Sequence, residues 1–191
     1  MTHSSRCGSR LVVALLLILT GLSGATTAST VSLHGKPDMT QCGRSGAMQL
    51  PGGSHLKLRL ALNNTQKEKG LSGIAADAFD DDEALLMVFF NYGQRSVLMG
   101  DTRFNLDVFF LDHTLTVVGL QRNLTAHPST NEPPQIEQSR EVKARHILEM
   151  RSGTPQANQI KQGTQLKWAS RPTIQQIERC MAAIWHRNKG Q

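Results

Sequence analysis

Six polar side chains between Arg95 and Glu149 are of types that can do chemistry: Arg95, Asp101, Asp107, Arg145, His146 and Glu149. A glycoside-cleaving carboxylate pair needs two acids held a few ångströms apart, and Asp101 with Asp107 meets that need only if the fold brings them together. Asp107 sits inside the otherwise apolar run Leu106 to Leu111. Burying an ionised carboxylate is costly unless it is hydrogen-bonded or paired, so Asp107 must have partners or face a cleft. Upstream, Asp77, Asp80, Asp81, Asp82 and Glu83 cluster, but without the alternating ligands and central Gly of an EF-hand loop; a solvated acidic turn is expected there. His113, His127 and His146 share no metal-ligand spacing. The sequence holds no nucleophile elbow, zinc-binding His pair or phosphate loop. The pattern therefore assigns no catalytic set, no metal and no cofactor, and most of these groups read as structural ion pairs and hydrogen bonds.

The elements that must position them centre on Leu85 to Asp112, where two apolar runs flank a short polar segment. Leu85 to Phe90 is continuously apolar, as in a strand buried on both faces. Asn91-Tyr92-Gly93-Gln94 supplies turn residues, so Ser96 to Met99 is expected to return as a hairpin partner. Leu106 to Leu111 and Leu115 to Leu120 continue a meander. Before them, His55 to Leu62 alternates, with Leu56, Leu58, Leu60 and Leu62 on one side and Lys57 and Arg59 on the other, which predicts a half-buried strand. Thr65 with Glu68 is a capping-box pattern for a short helix ended by Gly70.

Residues 125–138 carry Pro128, Pro133 and Pro134 and read as a long surface loop. Val142 to Met150 follows as one strand. Thr154-Pro155 is an N-cap with a first-turn proline, and Leu166 to Trp168 ends the core. Beyond Pro172, Thr173 and Gln176 form a second capping box, and Ile174, Ile177, Cys180, Met181 and Ile184 share one helical stripe. That helix docks by the stripe, or offers Trp185 and Arg187 to a partner.

With 191 residues, 39% of them hydrophobic, the chain has room for one domain with a real core and a targeting segment. Residues 1–28 read as an export signal. Arg6 and Arg10 precede the apolar run Leu11 to Leu19, and small residues offer cleavage after Ala25 or Ala28. The run is too short to span a bilayer, so a periplasmic or secreted product without a transmembrane span is expected. Export leaves Cys42 and Cys180, and a pair in an oxidising compartment is expected to bond. Residues 29–54 show no sustained period and read as an irregular arm pinned at Cys42. The net charge of +6 is concentrated near the C-terminus, while aromatics make up only 5%. Stacking platforms for nucleic acid are therefore scarce, and it is not expected as a partner.

Ordered pieces resemble domain-of-unknown-function family 192 over residues 57–168. They are Asn64-Thr65, Glu68-Lys69-Gly70-Leu71, Leu86 to Phe89, Met99 with Thr102, Leu106-Asp107, Phe110-Leu111-Asp112, Ala144-Arg145, Leu148-Glu149 and Ile160 to Leu166. The resemblance implies a compact antiparallel β-sandwich or barrel with short helices, among small bacterial proteins that are often exported and have no established activity. Leu98, Gly100 and Asp101 stand where the family usually has Trp, Lys and Asn. Asn105 replaces a usual Pro, and His146 a usual Tyr. If the segment around Met99 lines a cleft in relatives, this chain lacks its aromatic platform and its cation. With Met99 and Thr102 added from this set, the ligand-binding candidates are Arg95, Met99, Asp101, Thr102, Asp107 and Arg145.

The domain plan expected is a signal at 1–28, an arm at 29–54, the β domain at 55–168 and the C-terminal helix at 169–191. The function expected is a non-catalytic exported module that binds an envelope protein or polysaccharide. The alternative is a small-ligand or metal-dependent hydrolase around Asp101 and Asp107.

Overall fold

A computed structural model describes residues 38–189; the expected export signal and the start of the arm lie outside them. The fold is mainly β, with nine strands and three helices among the described residues. In chain order these are β1 (Ser45–Gln49), β2 (His55–Ala61), α1 (Asn64–Lys69), β3 (Glu83–Met87), β4 (Gly93–Arg95), β5 (Leu106–Leu111), β6 (Val117–Leu124), β7 (Val142–Ala144), β8 (His146–Arg151), α2 (Pro155–Asn158), β9 (Lys167–Trp168) and α3 (Ile174–Lys189). Seven strands form one curled sheet in the order β6-β5-β8-β3-β2-β1-β9, and β4 pairs with β7 in a small second sheet. Backbone bonds tie the outer strands together: Leu166 N–H to Leu115 O, Val117 N–H to Thr164 O and Gly163 N–H to Val117 O. The curl thus closes on itself in the manner of a barrel, which removes exposed edges.

Alternation sorts the side chains of the central strands into two cores. Ala84, Leu86, Phe109, Leu111, Leu148 and Met150 join one cluster with α3's Ile174, Ile177, Met181 and Ile184. Leu85, Met87, Leu106, Val108, Phe110 and Ile147 join another, roofed by Leu71, Phe79, Val97, Met99 and Phe104. Burial on both faces explains the continuous apolar runs.

Pairing departs from the expected meander in three places. β3 does not form a hairpin with 96–99. Its two edges are taken by β8 and, in parallel, by β2. Residues 62–82, with α1 among them, provide the long crossover that a parallel pair needs. The expected strand Val142 to Met150 is two strands in two sheets, broken at Arg145, whose N–H bonds Leu111 O. The segment expected to be irregular holds a 3-10 turn, Met39–Cys42, and β1, which pairs with β2 and β9. β1 is masked in sequence by Gly46, yet a Cβ there would lie 2.8 Å from the Trp168 ring. Small size is required by that close packing.

Helix starts follow local chemistry. α1 is capped by Asn63 and Gln66, not by Thr65 and Glu68: Asn63 Oδ1 accepts from Gln66 N–H at 2.8 Å, and Gln66 Oε1 accepts from Asn63 N–H at 3.3 Å. α2 begins at Thr154-Pro155, with Thr154 accepting from Ala157 N–H. At α3, Thr173 Oγ1 accepts from Gln176 N–H and Gln176 Oε1 from Thr173 N–H, as the sequence predicts. The acidic turn is solvated as expected, with Asp77, Asp80 and Asp81 exposed, and it is also paired. Asp82 pairs with Lys57 at 3.0 Å, Glu83 with Arg59 at 2.7 Å and Asp81 with Arg151 at 3.2 Å, so it clamps the crossover to β2 and β8.

Cys42 and Cys180 form a disulfide across 138 residues, joining the first turn to α3. No helix among the described residues is long and apolar enough to cross a membrane. On the chain-entropy argument, reducing this bridge removes about 5 kcal/mol of stability, and the comparison of denaturant midpoints for oxidised and reduced protein measures it. A loss under about 1 kcal/mol would instead mean that α3's four buried residues hold it in place unaided.

Candidate functional site

On the second face of the sheet, α1 and the chain after it lean over β3, β5 and β8 and leave a hollow of about 380 Å³. Its apolar walls are Leu71, Met87, Phe89, Val97, Leu106 and Ile147; its polar members include Lys67, Ser72, Gln94, Arg95, Ser96, Thr102 and Glu149.

Glu149 is the unusual member. It stands in the middle of β8, opposite Leu85 of β3 and Val108 of β5, so no donor faces it across the sheet. Its side chain is buried, and Oε2 has no hydrogen-bond partner among the described residues. Gly70, at φ +51° past the end of α1, lies over it; a Cβ there would come 3.4 Å from Oε2. Burial alone pushes the Glu149 carboxyl up to about 8.

The cations lie around Phe89. Lys67 Nζ is 4.5 Å and the Arg95 guanidinium carbon 3.7 Å from that ring's centre, which attracts both through its quadrupole. Burial, and then the Arg95 charge, push Lys67 down to about 8. Arg95 Nη2 donates to Asn91 O at 2.9 Å, while its Nε is buried with no hydrogen-bond partner among the described residues. The hollow thus combines an unsatisfied donor and an unsatisfied carboxyl with a largely apolar wall.

Of the six ligand-binding candidates, Arg95 and Thr102 line this hollow. Met99 is fully buried in the roof. Asp101 occupies a left-handed turn at φ 54°; its carboxylate pairs with Arg103 at 2.7 Å and its carbonyl accepts from Gly73 N–H. Asp107 projects to the opposite face of β5. There Arg122 Nη1 donates to it at 2.6 Å and Asn123 N–H at 2.9 Å, while Arg122 also binds Ala157 O and Ile160 O. Asp101 and Asp107 hold different partners, and neither lines the hollow. Arg145 grips Glu178 of α3 at 2.8 Å. Beside it His146 accepts from Phe89 N–H through Nδ1, and burial with the Arg145 charge pushes it down to about 3, so it is neutral.

Sequence reasoning placed Glu149 among the polar groups without giving it a ligand role, and passed over Lys67, Phe89, Gln94 and Ser96. The signal available for Glu149 was an acid inside an apolar run, the same signal that singled out Asp107. Nothing in sequence links Lys67 to Phe89, because the parallel crossover that joins them is not a local feature.

Fold and hollow together define a small mainly-β module with one polar-lined recess beside its central strands. The family model of DUF192, described as an uncharacterized ACR, matches residues 48–168, and the chain belongs to that family. Two solved structures are similar to it. One is a candidate transcription regulator from Sinorhizobium meliloti 1021, 22% identical with a TM-score of 0.52, covering 65% of this chain and 92% of the other. The second is a protein of unknown function from Novosphingobium aromaticivorans DSM 12444, 19% identical with a TM-score of 0.52, covering 65% of this chain and 84% of the other. At such identities they speak for the fold alone. The comparison with curated proteins finds no match. Every lining residue of the hollow falls inside the family match, whereas Cys42 and α3 fall outside it.

Titration of Glu149 has a readable sign. The folded protein keeps a proton on this carboxyl up to about 8, whereas its ordinary value is 4.5. Stability is therefore undiminished by this group below its ordinary value and is lost as pH rises towards the folded one. His146 acts oppositely, costing stability as pH falls from 6.5 to about 3, and Lys67 changes charge only above about 8. Between pH 6.5 and 8 the Glu149 slope thus stands unopposed by these two. The protein should lose on the order of 2 kcal/mol across that window, and Glu149→Gln should flatten the profile. Urea unfolding at stepped pH measures it; equal slopes in both proteins would show that Glu149 has an ordinary carboxyl environment.

Proposed function

We propose that this chain is an exported, non-catalytic binding module of the bacterial envelope, and that it takes a small polar ligand in the recess between α1, β4 and the centre of β8. The observation that carries this reading is the unpartnered carboxyl of Glu149 at a buried position in a recess that also holds Arg95 and Lys67. A buried polar group left unsatisfied costs about 1–3 kcal/mol, which a ligand would return on binding. A hydrolase around Asp101 and Asp107 is supported less well, since each acid is committed to an arginine. Export is supported by the pattern of residues 1–28 and by a disulfide that suits an oxidising compartment.

The test is a thermal-shift screen of the oxidised protein against amino acids, organic acids, nucleotides, oligosaccharides and divalent metals. A ligand at a hundredfold over its Kd should raise Tm by roughly 5 to 10 °C. Arg95→Ala and Glu149→Gln should each abolish the shift. A shift that survives both substitutions places the ligand elsewhere and overturns the site.

A second reading has its own observation. Trp185 on α3 is 42% exposed and lies 6.2 Å from the Phe90 ring, centre to centre, beside a hollow of about 440 Å³ that Met39 also lines. This platform suits a polysaccharide chain stacking on the indole. Co-sedimentation with purified cell-wall polysaccharide should then weaken by about tenfold in Trp185→Ala; unchanged sedimentation, or none by the parent protein, removes this reading.

A further inference from the structure

The two unsatisfied groups of the recess differ in what they require. Glu149 Oε2 needs a donor, best a cation, and Arg95 Nε needs an acceptor, best an anion. Both line the same hollow. The remaining charged lining groups, Glu68 and Lys69, come from α1 as Lys67 does. β3 and β5 bring only Leu85, Met87, Leu106 and Val108 towards Glu149. The recess therefore offers one unsatisfied carboxyl, Glu149, and two cations, Lys67 and Arg95, beside Phe89.

A simple anion would satisfy Arg95 and leave the acid idle. A simple cation would satisfy Glu149 and meet Lys67 and Arg95 with the wrong sign. Resting on the reading of this recess as the binding site, we infer that its ligand is a zwitterion with an apolar body, a free amino acid of the leucine or methionine kind. Its ammonium lies against Glu149, its carboxylate is held by Arg95 and Lys67, and its side chain rests on Met87, Leu106 and Ile147.

Isothermal titration of the full oxidised chain with L-leucine, 4-methylpentanoate and 3-methylbutylamine tests this, since the last two each lack one charge of the first. Leucine should bind about tenfold or more tightly than either analogue. In phosphate and Tris buffers at pH 7 it should release about one proton, as Glu149 ionises to meet the ammonium. Glu149→Gln should weaken leucine while leaving 4-methylpentanoate unchanged, and Arg95→Gln should weaken both. Methionine, valine and phenylalanine complete the panel. The zwitterion is overturned if 4-methylpentanoate binds as well as leucine, or if no amino acid of the panel binds. Should another compound of the broader screen then bind and be lost in Glu149→Gln, the binding-module reading stands without the zwitterion. Should no compound respond to either recess substitution, both readings fall.

Discussion

Strands β3, β5 and β8 are buried on both faces, and the other parts of the molecule follow from the need to cover each face. One face closes over itself as the sheet curls and is finished by α3, whose Ile174, Ile177, Met181 and Ile184 enter the same cluster as Leu86 and Leu148. The other is roofed by the crossover between β2 and β3 and by residues 97–104. A roof made of loops cannot match the sheet as closely as a helix stripe does, because its backbone must also satisfy its own hydrogen bonds. The imperfect fit leaves the recess, and the recess lies over the middle of the sheet because the roof is pinned at its margins. Asp81, Asp82 and Glu83 pin one margin through Arg151, Lys57 and Arg59, and Asp101 pins the other through Gly73.

The C-terminal helix is a second consequence of the curl. It lies outside the family match, yet it is not an accessory to the fold. Cys180 ties it to the first turn, Glu178 ties it to Arg145 at the break between β7 and β8, and its apolar stripe completes a core that includes Met48 of β1 and Leu56 of β2. The break at Arg145 is what makes this connection available. Where the chain passes from the small sheet into the main one, the Arg145 side chain reaches α3, while His146 stays buried and neutral beside it. Trp185, on the same helix, remains partly exposed because the stripe that docks does not include it.

Much of this was legible in sequence where the signal is local. The alternation of Leu56, Leu58 and Leu60 marks β2, the run Leu106 to Leu111 marks β5, and Thr173 with Gln176 marks the start of α3. What was not legible depends on partners distant in sequence. The run Leu85 to Phe90 is equally consistent with a hairpin and with a central strand, and only the parallel approach of β2 decides between them. β1 carries Gly46 because Trp168 presses on it, so that residue reports the neighbour rather than the strand. At α1, two overlapping capping patterns lie two residues apart, and Asn63 with Gln66 prevails because Gln66 also accepts from Leu62 N–H at 2.8 Å.

The recess illustrates the same limit more sharply, because the sequence offered two buried acids and gave no means of ranking them. Asp107 and Glu149 occupy neighbouring strands and are almost equally buried, at 1% exposure each. Their fates diverge through the parity of the pleat. Asp107 faces the side where β6 and α2 approach, and it meets Arg122 and the Asn123 amide. Glu149 pairs with Val108, one residue on, and so faces the opposite side, where its cross-strand neighbours are Leu85 and Val108. Moving Glu149 by one residue in register would put it on Asp107's side. An acid with partners has its hydrogen-bonding capacity taken up within the fold; an acid without them keeps its proton and its unused hydrogen-bonding capacity. Of the two acids that sequence marks as anomalous, only the unpartnered one has chemistry left to offer a ligand.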